Sequence, residues 1–178
     1  MLGRGSVRAM DLFLQEKFYN PTKGSLLLQE VLEEIVGYMQ EKRERPYEII
    51  VGCDSSATED PTFPVVIVVL RKGEGGRFFL RRVHYPAPRK FYNRHERILE
   101  EVLLSCQLAL WLRENFGVRM QTEPDLQYNF QYIHADIGEN GITKDMIKEV
   151  TGLIRGNGFE PKIKPEAFAA STVADRYS

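Results

Sequence analysis

Apolar residues recur along the chain in patterns that predict one α/β domain. Leu27, Val31, Ile35 and Met39 recur every fourth residue and carry a charged opposite face, which predicts an amphipathic helix over residues 26–44. The preceding NPTKGS (20–25) is typical of a turn, because it combines Asn, Pro, Gly and Ser.

Three segments rich in β-branched and apolar residues follow this helix, and each predicts a strand. The first, EIIVGCDSS (48–56), ends abruptly on Asp54. The second is almost wholly apolar, which favours a central position in the sheet. A glycine-rich turn at 72–76 then predicts a hairpin to the third strand.

The remaining elements alternate between helix and strand. They are predicted as helix 94–117 ending at Gly117, strand 128–138, helix 142–158, strand 159–167 and helix 170–178. The predicted fold is therefore α/β, a mixed sheet in the order β-β-β-α-β-α-β-α with helices on both faces and an extra N-terminal helix. Residues 1–17 are predicted to be a tail, and 18–178 a single domain that includes helix 26–44.

Composition narrows the class of protein. The 178 residues are 43% hydrophobic and 28% charged with a net charge of −1, which fits one compact domain and excludes general disorder. Two cysteines are too few for a disulfide scaffold or a zinc cage, and they predict reduced thiols in a cytoplasmic protein. No apolar run is long enough to span a bilayer, so no membrane partner is expected.

Acidic side chains occur at the ends of two predicted strands and on two predicted helices. Asp54 ends the first strand, Asp136 ends the fourth, Asp175 lies in the last helix and Glu101 lies beside the core-facing stripe of the long helix. If the first and fourth strands are neighbours, Asp54 and Asp136 converge, and their charges repel. Mg²⁺ relieves such repulsion with oxygen ligands, and two ions about 4 Å apart can clamp a phosphodiester.

The order of elements, together with GCDSS, the helical Glu101, HADIG and VADRYS, resembles the ribonuclease H-like superfamily. More narrowly, the chain from Phe18 to its end resembles the YkuK-like family of predicted ribonuclease H-related proteins. The most specific stretch is GNGFEPKIKPEAFAASTVADRYS, followed by YIHADIG.

This resemblance implies a nuclease that hydrolyses phosphodiester bonds by a two-metal-ion mechanism with Mg²⁺ or Mn²⁺. The implied catalytic and metal-binding acids are Asp54, Glu101, Asp136 and Asp175. Glu100 and Glu96 remain alternatives to Glu101 as the helical acid.

Each candidate also has an ordinary structural interpretation. The two strand-end aspartates could begin turns, and the two helical acids could be solvated charges. His134 is predicted to face the same side as Asp136 and to orient the site or assist proton transfer, with a packed or surface histidine as the alternative. Ser55 is predicted to support the site, or else to be a turn serine.

A basic segment offers a surface for the substrate. Residues 71–97 carry nine basic and two acidic side chains, interleaved with aromatic residues, a mixture that suits phosphate contacts and base stacking. Arg89, Lys90 and Arg94 are predicted to bind nucleic acid, DNA or RNA, and Lys162 and Lys164 to face a phosphate. The alternative for these residues is an ordinary solvated surface. The alternative for the protein is a non-catalytic one that binds nucleic acid or a partner protein, and the partner could be a second copy in a homo-oligomer.

Overall fold

The computed structural model describes residues 13–85, 89–141 and 144–169, so the predicted terminal helix with Asp175 lies outside the described residues. The described part forms a seven-stranded mixed sheet with helices packed on it, an α/β architecture as predicted. Its elements are β1 (Phe18–Asn20), β2 (Gly24–Leu26), α1 (Leu28–Glu41), β3 (Tyr47–Cys53), β4 (Thr62–Arg71), β5 (Gly76–His84), α2 (Arg94–Met120), β6 (Tyr128–Ala135), α3 (Ile147–Gly156) and β7 (Glu160–Lys162).

The strand order is β2-β1-β5-β4-β3-β6-β7, which confirms that β4 is central. Strands β3, β4 and β5 form the predicted antiparallel meander. Strand β6 pairs with β3 in parallel, and β7 pairs with β6 in parallel. The carboxyl ends of β3, β6 and β7 therefore lie at one edge of the sheet, the place where α/β proteins bind ligands.

The two faces of the sheet carry separate apolar clusters. Alternate residues of β3 and β4, such as Ile49 and Val65, pack with α1, α2 and α3 on one face. Ile50 and Val66 point to the other face, where Ala169 packs against them. Among the described helices, none is long and apolar enough to cross a membrane.

The first hairpin is a feature that the sequence did not reveal. Residues 20–25 do contain the predicted turn, but this turn joins two strands of three residues each. The Asn20 side-chain oxygen accepts the backbone N–H groups of Thr22 and Lys23, which closes the turn. Strands this short show no alternating pattern, so the hydrophobic periodicity could not identify them.

Several predicted boundaries need correction. Strand β6 ends at Ala135 rather than at 138, and helix α3 spans Ile147–Gly156, after a 3-10 turn at Lys144–Met146, rather than the predicted 142–158. Helix α1 spans 28–41 rather than 26–44, and β7 spans 160–162 rather than 159–167. Helix α2 continues through Gly117 to Met120, because Phe116 and Met120 are both buried against the sheet. Burial of this last turn outweighs the helix-ending tendency of glycine.

Residues near the start of the described chain pack into the domain. Phe13, within the predicted tail, is fully buried, and its ring lies 6.3 Å from that of Phe18 in β1. Its neighbour Leu14 is 44% exposed. Phe13 therefore belongs to the apolar cluster on the helical face.

We expect Phe13→Ala to lower the free energy of unfolding by about 3 kcal/mol, because it removes a buried aromatic ring and leaves a cavity. The matched control Leu14→Ala should change it by less than about 0.5 kcal/mol. Urea unfolding followed by circular dichroism measures both values. Equal, small effects would mean that Phe13 does not pack in the core.

Candidate metal centre at the ends of β3 and β6

The parallel pairing of β3 and β6 places two acids side by side. Cys53 is opposite Ala135 in the register, and each strand ends at that residue. Asp54 and Asp136 come immediately afterwards, so they leave adjacent strands at the same edge. Their convergence, predicted if the strands were neighbours, follows directly from this register.

Helix α2 brings a third acid to this edge. The helix packs across β3 and β6, and Glu101 lies on its inner face with only 6% of its surface exposed. The Ser55 hydroxyl donates a hydrogen bond of 2.5 Å to Glu101 Oε1. Ser55 thus connects the segment after β3 to the helical acid.

The other two helical acids have different contacts. Glu100 accepts a hydrogen bond from the Tyr85 hydroxyl and forms a 2.7 Å ion pair with Arg89. Glu96 lies in the first turn of α2, where its carboxylate accepts the Tyr92 N–H at 2.9 Å. Of the three, Glu101 is the acid whose surroundings match a site at the ends of β3 and β6.

The electrostatic environment of Glu101 is unfavourable for its charged form. Burial raises its pKa to about 8, the Ser55 hydrogen bond partly offsets this rise, and the negative charges of Asp54 and Asp136 add to it. The pKa of the buried Cys53 thiol is also raised, by burial and by the charges of Glu101 and Asp54. Loss of the Glu101 proton is therefore opposed both by burial and by the negative charges already present at this edge.

A lysine offsets part of this charge. Lys164 Nζ lies 3.0 Å from Asp136 Oδ1. Lys164 follows β7, and its backbone N–H donates to the Ile137 carbonyl at 2.8 Å. The predicted phosphate-binding lysine therefore contacts one of the predicted metal-binding acids.

His134 is packed rather than directed at a reacting group. It is 3% exposed, and its Nδ1 accepts the backbone N–H groups of Phe168 and Ala169 at 3.1 and 3.2 Å. Burial, together with the charge of Lys162, lowers its pKa to about 4. These contacts favour a neutral histidine that fixes the chain at residues 168–169 over the predicted role in proton transfer.

The predicted substrate-binding residues divide into two groups. Arg89 is held by Glu100 and stacks on the Tyr85 ring, and Lys162 lies 4.2 Å from the centre of the Tyr132 ring. Both are therefore engaged within the fold. Lys90 and Arg94 are exposed.

Two further residues near Lys90 and Arg94 were not among the predicted site residues. Tyr92 is 73% exposed, and Arg97 is half-buried one helical turn before Glu101. The helical period puts Arg94, Arg97 and Glu101 on one face of α2, a signal available in the sequence. We call Lys90, Tyr92, Arg94 and Arg97 the α2 basic surface.

The donor chemistry at this edge fits a hard divalent cation. Three carboxylates supply the oxygen ligands that Mg²⁺ and Mn²⁺ prefer, and the buried Glu101 carboxylate has a hydroxyl rather than a positive charge as its hydrogen-bond partner. Within residues 13–85, 89–141 and 144–169, no three His, Cys, Asp or Glu side chains are close enough to hold a metal by themselves. The fit therefore rests on donor type and electrostatics, with the fourth predicted acid, Asp175, outside the described residues.

Comparison with known proteins identifies the family. The family described as Ribonuclease H-like matches residues 30–178, which is most of the chain. The chain belongs to the ribonuclease H-like family. It is also 29% identical over 168 residues to the protein named Uncharacterized protein YkuK from Bacillus subtilis (strain 168), a match that covers 90% of this chain and 96% of that relative. No solved structure matches the chain.

The family match and the similarity to YkuK confirm the family and the fold that the sequence motifs indicated. The ribonuclease H-like fold is a nucleic-acid-related fold, and Asp54 and Asp136 follow the carboxyl ends of its parallel strands β3 and β6.

The raised pKa of Glu101 predicts a pH-dependent stability. Its folded pKa of about 8 exceeds the ordinary value of 4.5, so the folded state binds more protons between these two values. Stability should therefore fall as pH rises from 4.5 to 8. In chelator, Glu101→Gln should remove this loss and stabilise the protein at pH 8 by an amount that shrinks towards pH 5, with a slope of at most about 1.4 kcal/mol per pH unit.

Thermal or urea unfolding across this pH range measures the effect. Glu100→Gln is the matched control, since it alters the adjacent residue and breaks the ion pair with Arg89, so no stabilisation is expected at pH 8. If Glu101→Gln and the unchanged protein showed parallel pH profiles, Glu101 would not carry an unfavourable charge in the fold.

Proposed function

We propose that this protein is a metal-dependent nuclease that hydrolyses phosphodiester bonds in nucleic acid. The observation that carries the proposal is that Asp54 and Asp136 follow the paired ends of β3 and β6 and that their charges act on the buried Glu101, in a ribonuclease H-like chain. Asp175, by the family resemblance, is the fourth acid of the proposed site.

In this proposal a pair of Mg²⁺ or Mn²⁺ ions binds to four carboxylates, those of Asp54, Glu101, Asp136 and Asp175. When bound, the ions would supply positive charge to the attacked phosphate and activate water for in-line attack. Ser55 fixes the orientation of the Glu101 carboxylate through its hydrogen bond. No side chain of the described site is needed as a covalent nucleophile.

The α2 basic surface supports the proposed substrate class. Arg94 and Arg97 precede Glu101 by two turns and one turn of the same helical face, about 10 and 6 Å along the axis. Arginines at this spacing suit the phosphates of a polynucleotide that extends away from the scissile bond. Exposed Tyr92 offers a ring for base stacking.

Cleavage of nucleic acid tests the proposed catalytic acids. Asp54→Asn should abolish metal-dependent cleavage, because it removes one anionic ligand while keeping the side-chain size. Labelled single-stranded DNA, single-stranded RNA, duplex and hybrid substrates, each with Mg²⁺, Mn²⁺ or chelator, measure this and identify the preferred substrate.

Asp60→Asn is a matched control in the same loop, because Asp60 is half-exposed and lies 3.7 Å from His84 rather than at the acid site. It should retain full cleavage. Undiminished cleavage by Asp54→Asn would contradict the assignment of the site.

Binding of nucleic acid tests the α2 basic surface. Replacing Arg94 and Arg97 by Gln should weaken nucleic-acid binding and reduce the slope of log affinity against log salt concentration by about 1 to 2, because two phosphate contacts are lost. Fluorescence anisotropy across a salt series measures the slope. With chelator present, cleavage does not interfere.

Arg43 and Arg45 provide a charge-matched control. Both are exposed and precede β3, at the opposite end of that strand from Asp54. Replacing both by Gln should leave the salt slope nearly unchanged. Equal slopes for the two double variants would place the binding surface elsewhere.

A non-catalytic nucleic-acid-binding protein is the second candidate. The ion pair between Lys164 and Asp136 favours it, since an acid neutralised by an internal lysine has less need of a metal ion. This candidate predicts salt-dependent binding with no cleavage of any substrate in either metal.

A further inference from the structure

The position of Lys164 beside Asp136 is fixed by the backbone. His134 is opposite Lys162 in the parallel β6–β7 register, so Asp136 and Lys164 each follow two residues later. The Lys164 N–H donates to the Ile137 carbonyl, and the Lys164 Cβ lies 3.2 Å from where a Cβ on Gly138 would be. Any larger residue at 138 would displace Lys164 or the segment after Asp136.

The two side chains of this pair differ in exposure. The Lys164 side chain is 53% exposed and the Asp136 side chain 26% exposed. Lys164 thus has a backbone anchored within the fold and an ammonium group that reaches solvent. Its side chain can leave Asp136 without unfolding anything, because an exposed ion pair of this kind is weak.

An ammonium group and a divalent cation compete for the same carboxylate. Both are attracted by the negative charge of Asp136 and of Asp54 on the neighbouring strand, and they repel each other at close range. A cation that approaches Asp136 must therefore displace the Lys164 ammonium or bear its repulsion.

We infer that Lys164 is an internal counter-ion of Asp136 that competes with divalent cations for this carboxylate and moves away when a cation binds. This inference rests on the proposed metal site. Lys164 stabilises the acidic edge in the metal-free protein, and it sets a threshold concentration of cation below which the site stays in that state.

The test measures Mn²⁺ binding rather than cleavage. Electron paramagnetic resonance of free Mn²⁺ gives the affinity of the unchanged protein and its variants. Lys164→Gln should bind Mn²⁺ about three- to fivefold more tightly, in proportion to the strength of an exposed ion pair. Lys164→Arg keeps the positive charge and should bind Mn²⁺ as the unchanged protein does.

Lys162→Gln is the charge-matched control. It removes the same charge two residues earlier, where the ammonium lies over the Tyr132 ring. A change of less than about twofold is expected there, because long-range charge effects are screened. If Lys164→Gln and Lys162→Gln change the affinity equally, or if Lys164→Gln weakens it, the counter-ion role is wrong.

The proposed metal site and the counter-ion role fail in different ways. If the unchanged protein binds no Mn²⁺, or if Asp54→Asn binds it equally well, the metal site itself is wrong and so is the counter-ion role. If that binding is present but Lys164→Gln has no specific effect, only the counter-ion role is overturned.

A second measurement needs no variant. Titration of the unchanged protein with Mg²⁺ should shift the NMR signals of the Lys164 ε-methylene more than those of Lys162, as the ammonium leaves Asp136. A Lys164 signal that does not respond while Asp136 does would contradict the displacement.

Discussion

The candidate site depends on the parallel pairing of β3 with β6. This pairing places Cys53 opposite Ala135, and the acids that follow the two strands then lie together. A register shift of one residue would turn Asp136 to the opposite face of the sheet, because strand side chains alternate. The apolar residues of β3 on the helical face hold the register, since they pack beneath α2, the helix that also carries Glu101.

Burial and charge act in opposite directions at this edge. The packing that positions Glu101 also removes its carboxylate from water, and the nearby aspartates make its charged form still less favourable. Two contacts partly offset this cost: the Ser55 hydroxyl donates a hydrogen bond to Glu101, and the Lys164 ammonium forms an ion pair with Asp136. A divalent cation at this edge would favour loss of the Glu101 proton, because its positive charge would stabilise the carboxylate that forms.

The fold and the two strand-end acids could be predicted because they depend on local patterns. An apolar strand that ends in an acid marks Asp54 and Asp136, and the apolar character of β4 marks its central position. The helical face favoured Glu101 over Glu96 and Glu100, but the contacts that distinguish these acids come from distant partners such as Tyr85 and Ser55, which the sequence does not reveal. The contact of Lys164 likewise depends on how β7 pairs with β6. Two aromatic residues of the basic segment 71–97, Phe79 and Phe91, are buried in the core rather than exposed for base stacking.

The central claim is that these acids form one divalent-cation site. Crystals soaked in Mn²⁺ and measured for anomalous scattering test it most directly, because the metal is located without reference to activity. The account predicts anomalous density within about 2.0–2.6 Å of carboxylate oxygens from Asp54, Glu101 and Asp136. Density at a different place, or none at this edge at saturating Mn²⁺, would contradict it.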